Sequence, residues 1–136
     1  MAYEFFQNQF REVWSIDSGY VPMDNPFDDK PHVANGRDPE YGTLAGQGNH
    51  SLSTADVDGD GCQEIIYGAA CIDQDGKLLY SSYGYLPDGR YAKLGHGDAM
   101  HVANIDPDRP GLEIFNVFEG AEDAPYGYAL RDAETG

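Results

Sequence analysis

An acidic, glycine-containing loop at residues 55–64 constrains this chain more than any other feature of its sequence. The segment reads Ala-Asp-Val-Asp-Gly-Asp-Gly-Cys-Gln-Glu, so Asp56, Asp58 and Asp60 alternate along it and Glu64 follows. Carboxylates this close repel one another unless a hard cation binds them, and calcium takes ~6–8 oxygen ligands in proteins. We therefore predict a calcium site formed by these four side chains and the backbone carbonyl of Cys62.

The spacing excludes an EF-hand, whose 12-residue loop ends in an acidic residue and leads into a helix. Counted from Asp56, the closing position is occupied by Tyr67, and the acidic residue comes earlier, at Glu64. The following Ile-Ile-Tyr-Gly predicts a strand. The alternative is a solvated Asp-Gly hairpin turn that binds no metal.

Short strand-like runs separated by turn residues dominate the rest of the chain and predict an all-β fold. No segment has a capped helical period. The predicted strands are residues 10–16, 51–57, 64–71, 78–85, 99–105, 112–118 and 126–130. Residues 18–49, rich in Pro, Gly, Asp and Asn, predict one long loop of the kind that often carries function.

An internal repeat organises these strands. Ala-Asp-Val-Asp-Gly-Asp from residue 55 aligns with Ala-Asn-Ile-Asp-Pro-Asp from residue 103, and Glu64 aligns with Glu113. Repeats of ~40–50 residues are typical of β-propeller blades, and a propeller needs at least ~4 blades. The chain therefore predicts part of a larger β-propeller.

The second copy of the loop predicts a second calcium site, formed by Asn104, Asp106, Asp108 and Glu113. Prolines replace the glycines of the first copy and stiffen the turn. The alternative is a rigid turn capped by its Asp side chains.

The charge of the chain narrows its partners. It has 24 Asp and Glu against 8 Lys and Arg, a formal net charge of −16. Nucleic acid and anionic membranes are excluded as partners, because basic surface drives both kinds of binding, and cations are favoured. No apolar stretch of ~18 residues predicts a transmembrane helix, and no signal peptide is visible.

Both cysteines are predicted to be free. If residues 62–71 form one extended strand at about 3.3 Å per residue, Cys62 and Cys71 lie roughly 30 Å apart. A disulfide needs Cα atoms within ~7 Å of each other.

Two histidines in glycine-rich segments form the core of a candidate site. His50 ends Gly-Gln-Gly-Asn-His and His96 lies in Gly-His-Gly-Asp, and glycine lets a backbone approach a ligand closely. Asp98 and Glu119 add carboxylates near the ends of predicted strands. A structural role for the histidines is the alternative.

Other ring-bearing residues are interpreted as packing residues. His101 is out of phase with Asp98 and predicts a packed strand residue, and His32 carries no signal. Tyrosines can stack on sugar rings, but sheet faces are the favoured interpretation for Tyr80, Tyr83, Tyr85, Tyr126 and Tyr128.

Several motifs in the same order resemble the family 11 polysaccharide lyases, which are rhamnogalacturonan lyases. They are Gly-Gln-Gly-Asn-His-Ser-Leu-Ser from residue 46, the loop 56–64, Leu-Gly-His-Gly-Asp-Ala-Met-His-Val from residue 94, Asp-Pro-Asp-Arg-Pro-Gly-Leu-Glu from residue 106, and Tyr-Gly-Tyr-Ala-Leu-Arg-Asp-Ala from residue 126. The resemblance covers residues 44–136, and residues 1–43 fit a preceding blade segment.

The resemblance implies an eight-bladed propeller with calcium ions, of which residues 1–136 would form about two to three blades of the catalytic domain. It implies β-elimination on rhamnogalacturonan I, an acidic pectic polysaccharide, at the bond from rhamnose to O4 of galacturonate. By matching position, His50, His96, Asp98 and Glu119 would bind metal, orient substrate, or both. Secretion to the extracellular space is implied as well.

Two departures from the family qualify this interpretation. Family members are several times longer, so the fragment alone is expected to be inactive, and residues 83–93 look like an insertion. The rivals are a non-catalytic, calcium-stabilised propeller piece of the integrin or lectin type and a carbohydrate- or protein-binding module. Endo or exo action, the general base and the number of ions stay open.

Overall fold

The protein is all-β over residues 1–20, 35–85, 88–119 and 127–136, which are the residues that the computed structural model describes. These residues contain no α-helix and a single 3-10 turn at Gly42–Leu44, so none of them forms a helix able to cross a membrane. The strands are β1 (Ala2–Phe6), β2 (Gln9–Trp14), β3 (Ser53–Ala55), β4 (Glu64–Tyr67), β5 (Ala70–Ile72), β6 (Leu78–Ser81), β7 (Tyr83–Tyr85), β8 (Tyr91–Lys93), β9 (Gly97–Ala103), β10 (Glu113–Phe118) and β11 (Tyr128–Asp132).

The strands form four antiparallel sheets in which chain neighbours pair. Strands β3 to β6 make a four-stranded meander, and β9 to β11 make a three-stranded one with β10 in the middle. The pairs β1–β2 and β7–β8 are two-stranded hairpins. Short connections allow each strand to pair with the next one along the chain.

The repeat seen in the sequence is confirmed by the strand register. Ala55 faces Glu64 where β3 pairs with β4, and Ala103 faces Glu113 where β9 pairs with β10. Each acidic loop therefore connects the same two positions of its meander. The two loops are equivalent elements of two similar sheets.

The main core lies between these two meanders. Ile66 and Cys71 from one sheet and Ile114 from the other are fully buried in a single cluster, which Val57 and Ala133 complete. A smaller cluster contains Ala69, Leu94 and Phe118. Leu94 and Phe118 immediately precede the segments that carry His96 and Glu119, so this packing anchors both segments.

A buried arginine also joins the two meanders. The Arg131 guanidinium donates hydrogen bonds to the Ser82 hydroxyl (2.8 Å), the Gly68 carbonyl (2.8 Å) and the Asn116 side-chain oxygen (3.0 Å). Burial lowers the pKa of Arg131. Its acceptors come from both sheets, so one side chain fixes their relative position.

Two predicted strands are divided in the structure. The run 64–71 is interrupted where Gly68 adopts a φ of 60°, which reverses the chain into β5, and the run 78–85 breaks at Ser82. Both cysteines are free as predicted, but the extended geometry argued for them was wrong. Strands β1 and β8 were not among the predicted strands. The first residue of the predicted strand 126–130 lies outside the described residues.

The packing assigned to His101 was wrong. Met100 and Val102 pack against the core, and His101 is exposed on the opposite face of β9, across from Phe115 on β10. Successive side chains of a strand point to opposite faces, so His101 cannot share the buried face of Met100 and Val102. His32 lies outside the described residues.

The four described tyrosines lie on strands as predicted, but they differ in burial. Tyr80 packs on the core and donates a hydrogen bond to the Ala133 carbonyl at 2.8 Å. Tyr83, Tyr85 and Tyr128 are exposed by 37%, 68% and 72% of their surface, because the faces of β7 and β11 that carry them have no sheet packed on them among the described residues. Tyr126 lies outside those residues.

Candidate active site

Three separate segments of the chain meet where the candidate site was predicted. The segment 46–50 runs parallel to the segment 95–97, with Asn49 and Gly97 forming a bridge. Within it, the His50 N–H donates to the Gly97 carbonyl at 3.0 Å and the Gly97 N–H to the Gly48 carbonyl at 3.4 Å. On the other side, the Glu119 N–H donates to the His96 carbonyl at 3.1 Å. The His96 segment is therefore held between the other two.

This backbone arrangement brings the predicted side chains together. The Nε2 atoms of His50 and His96 are 3.3 Å apart, and their rings meet edge to face at 82° with centroids 4.8 Å apart. Glu119 joins them, with one ligand atom of each residue within 4.8 Å of the others. Asp98 Oδ1 lies 3.7 Å from His50 Nε2. The cluster of four predicted residues thus forms in space.

Gly97 makes this close approach possible because it has no side chain. A Cβ atom at Gly97 would collide with the Val117 carbonyl oxygen and would lie 2.6 Å from the side-chain oxygen of Asn49. Any larger residue would push the His96 segment away from the two segments beside it.

The side chains of the cluster can bind a cation or move a proton. His50, Asp98 and Glu119 are exposed and His96 is half-buried, so a ligand from solvent can reach them. An imidazole nitrogen accepts a proton or a metal ion in its neutral form. Carboxylates beside imidazoles stabilise the positive charge that either event introduces.

The first acidic loop brings three of its predicted ligands together. Asp56, Asp58 and Glu64 each place a carboxylate oxygen within 4.8 Å of the others. Asp60 is not part of this group, and it accepts a hydrogen bond from the Cys62 N–H at 2.7 Å. Asp56 accepts hydrogen bonds from the N–H groups of the two loop glycines, which shapes the turn.

Glu64 is the most constrained member of the loop. Its side chain is fully buried, and one oxygen accepts a hydrogen bond from the Val57 N–H at 2.7 Å. The other oxygen, Oε1, is buried and has no hydrogen-bond partner among the described residues. Burial raises the pKa of Glu64 above its usual range. Such an orphaned carboxylate oxygen beside two aspartates fits a hard cation.

The second acidic loop repeats only part of this arrangement. Glu113 is fully buried, its Oε2 accepts hydrogen bonds from the Ile105 and Asp106 N–H groups, and its Oε1 has no partner among the described residues. However, Asp106, Asp108 and Glu113 do not form a three-residue group within 4.8 Å. Asn104 and Asp108 are exposed.

Two buried polar residues next to the cluster were not among the predicted site residues. Gln47 is completely buried and bonds to Gly95, and Lys93 is 4% exposed and donates to the Ala45 carbonyl at 2.7 Å. The signal available in the sequence was the glycine on each side of Gln47. Glycines offer no side-chain hydrogen-bond partner, so a large polar side chain between them must find its partners elsewhere in the fold.

Comparison with protein families gives a match over the whole chain. The family model described as rhamnogalacturonan lyase family 11, C-terminal domain, matches residues 1–136. The match therefore includes residues 1–43, where the sequence motifs were less telling.

Two curated proteins of Bacillus subtilis (strain 168) are similar to the chain over all 136 residues. It is 46% identical to the rhamnogalacturonan exolyase YesX and 42% identical to the rhamnogalacturonan endolyase YesW. The chain spans only 18% and 17% of the lengths of these relatives.

Solved structures agree with these matches. The crystal structure of the exotype lyase YesX aligns with a TM-score of 0.71 and 47% identity, covering 98% of this chain and 17% of that one. A rhamnogalacturonan lyase of Bacillus licheniformis aligns with the same score and identity, covering 98% of this chain and 18% of that one.

Proposed function

The chain belongs to rhamnogalacturonan lyase family 11, and we propose that it is part of a calcium-dependent lyase that cleaves rhamnogalacturonan I by β-elimination. One observation carries this proposal beyond family membership. His50, His96 and Glu119 come from three separate segments and meet within 4.8 Å, with Asp98 beside them. A purely structural calcium blade does not need such a cluster.

In this proposal residues 1–136 form part of the catalytic domain, an eight-bladed β-propeller. The four-stranded meander β3 to β6 is the size of one blade, and β9 to β11 supply three strands of the next. Blades pack face to face around an axis, and the core shared by these two sheets supports this arrangement. The cluster then lies where loops of neighbouring blades gather.

We assign calcium to the first loop, with Asp56, Asp58, Asp60 and Glu64 as ligands and the Cys62 carbonyl as a further one. The orphaned Oε1 of Glu64 and the three converging carboxylates support the assignment. A second ion is assigned to Asn104, Asp106, Asp108 and Glu113, supported by the equivalent orphaned oxygen of Glu113.

The reaction removes the proton at C5 of galacturonate and breaks the bond between C4 and O4. The electron pair of the C5–H bond forms the 4,5 double bond, and O4 leaves with the rhamnose-bearing part and takes a proton. Calcium held by the side chains of the cluster would supply positive charge that stabilises the substrate carboxylate as the C5 proton leaves.

The residues of the cluster hold and orient the reacting groups. A neutral imidazole of His50 or His96 can accept a proton at Nε2, and the two nitrogens are close enough to share it. Asp98 would stabilise the resulting imidazolium of His50. Holding the galacturonate ring beside these residues makes the proton transfer effectively unimolecular, which lowers its barrier.

The negative charge of the chain is compatible with an acidic polysaccharide substrate only if cations take part in binding. With a net charge of −16 the protein repels a polyanion, so bound cations are needed to join it to an acidic pectic polysaccharide. Because that substrate is a cell-wall polymer, we also propose that the protein works outside the cell.

The test is to incubate the lyase that contains this chain with rhamnogalacturonan I and follow the ultraviolet absorbance of the 4,5-unsaturated uronate. We expect absorbance to rise in step with new chain ends, and product size will separate endo from exo cleavage. New ends without absorbance indicate hydrolysis. Binding without new ends indicates the non-catalytic module, and either result refutes the proposal.

A further inference from the structure

A single buried amide joins the two histidine-bearing segments of the cluster. Gln47 is 0% exposed although glutamine is usually a surface residue. Its side-chain Oε1 accepts a hydrogen bond from the Gly95 N–H at 2.8 Å, immediately before His96. Its own backbone lies three residues before His50. Gln47 therefore belongs to the segment of His50 and bonds to the segment of His96.

The Gln47 side chain adds one hydrogen bond to those that join the two segments. Further along the two segments, the bonds are made by backbone groups of Gly48, His50 and Gly97. At Gly95 the acceptor is instead the Gln47 amide oxygen. Because Gly95 has a φ of 82°, its N–H is turned out of a regular strand path, and a flexible side chain reaches it.

The other end of the amide is fixed as firmly. Nε2 of Gln47 donates to the Ser82 carbonyl at 2.8 Å and to the Ser81 hydroxyl at 2.9 Å, both at the end of β6. Its backbone carbonyl accepts a hydrogen bond from the Ala69 N–H. The orientation of the amide is thus determined by hydrogen bonds to the four-stranded meander and the residue that follows it.

We propose that Gln47 is a positioning residue, which holds the His96 segment so that His96 Nε2 stays 3.3 Å from His50 Nε2. This inference rests on the proposed function, because it assigns a purpose to the geometry of that cluster. Gln47 is fully buried, so it cannot touch a substrate. Asn49, the nearest polar residue in sequence, makes no side-chain hydrogen bond among the described residues and so gives this segment no comparable support.

The experiment compares Gln47→Met with Tyr80→Phe in the complete lyase. Methionine keeps the length of the side chain but removes its hydrogen bonds. Tyr80→Phe is the control, since it removes the hydrogen bond from the Tyr80 hydroxyl to the Ala133 carbonyl, a bond that Gln47 and the histidine segments do not share. Crystal structures of the variants give the distance between the two histidine Nε2 atoms. Steady-state kinetics, measured below the melting temperature of each variant, give kcat and KM separately.

For Gln47→Met we expect the distance between the two Nε2 atoms to increase by about 1 Å and kcat to fall about 100-fold, with KM little changed. Tyr80→Phe should keep both the distance and kcat. An unchanged distance in Gln47→Met overturns the inference, whatever happens to kcat. A longer distance with normal kcat supports the positioning role and refutes the proposed role of the histidines, so the two failures are distinguishable.

If Gln47→Met does not fold, Gln47→Glu carries the test. A protonated carboxyl accepts from Gly95 through one oxygen and donates to the Ser82 carbonyl through the other, so it keeps two of the three bonds of the amide, whereas the carboxylate cannot donate. We expect the ratio of variant to wild-type kcat to rise as the pH falls. A ratio that does not change with pH overturns the inference.

Discussion

The Val57 N–H donates to Oε2 of Glu64 at 2.7 Å and so fixes a buried carboxylate whose second oxygen has no hydrogen-bond partner among the described residues. The same relationship recurs between Ile105 and Glu113, at 2.9 Å. In both loops one carboxylate oxygen shapes the turn and the other is buried without a hydrogen-bond partner among the described residues. The repeat of the chain is therefore a repeat of this buried carboxylate as well as of a sheet.

Calcium affinity should depend on the carboxylates of the first loop. We expect Asp58→Ala and Glu64→Gln each to weaken calcium binding at that loop at least ~10-fold, or about 1.4 kcal/mol, because each removes a charged oxygen ligand. Titration calorimetry of chelator-treated protein measures this. Asp88→Asn, in a turn outside both loops, is the control. Equal binding by Asp58→Ala and the unaltered protein would refute the site.

Loss of a cluster residue should abolish turnover without unfolding the protein. We expect His96→Ala and Asp98→Ala to cost about 2–4 kcal/mol of transition-state stabilisation, as for loss of one electrostatic stabiliser. Melting temperature should change little, because Asp98 is exposed and His96 half-buried. His101→Ala is the control, since its exposed ring should affect neither quantity. Normal turnover in His96→Ala would remove His96 from the mechanism.

The isolated 136-residue chain is expected to have little or no lyase activity. It spans under a fifth of its relatives, and elimination needs substrate, base and metal held together. Absorbance of the unsaturated product, measured with equal amounts of the fragment and a complete lyase, tests this. A comparable rate from the fragment would place the whole active site within these residues.

Gly97→Ala should destabilise the protein and displace the His96 segment. The added methyl would collide with the Val117 carbonyl, a backbone group that cannot rotate away, so we expect a loss of about 1–3 kcal/mol. Chemical denaturation measures the loss. Gly127→Ala is the matched control, because a Cβ atom there meets nothing within 4 Å among the described residues, and it should be nearly neutral. Equal stability of the two variants contradicts the packing argument.

Lys93 should make stability depend on pH in the alkaline range. Burial lowers its pKa from 10.5 to about 8, so between these values the unfolded chain binds more protons than the folded one. This group therefore makes the folded state more stable as pH rises from about 8 to 10.5, by at most about 3 kcal/mol.

Comparison with Lys93→Met isolates this contribution, since methionine has a similar length and does not titrate. We expect the free energy of unfolding of the unaltered protein, relative to Lys93→Met, to increase from pH 8 to 10. A constant difference over that range would mean that Lys93 keeps its ordinary pKa in the folded protein.

The sequence by itself determined the local elements of this protein. Alternating Asp56 and Asp58, followed by Glu64, set the acidic loop, and turn residues between β-branched runs set the all-β class. These signals are local: residue spacing fixes them before any long-range contact forms. The repeat was readable for the same reason, and so were the glycine-rich segments that carry His50 and His96.

Only the tertiary structure decided which strand faces are buried, where strands break and which distant segments are joined by hydrogen bonds. Which face of β9 is buried depends on the neighbouring sheet, so His101 was assigned to the wrong side. The break at Gly68 depends on backbone contacts with the segment of Gln47, and the role of Gln47 depends on Gly95, 48 residues away. Hydrogen bonds between distant segments leave no periodicity in a sequence, because only folding brings their donors and acceptors together.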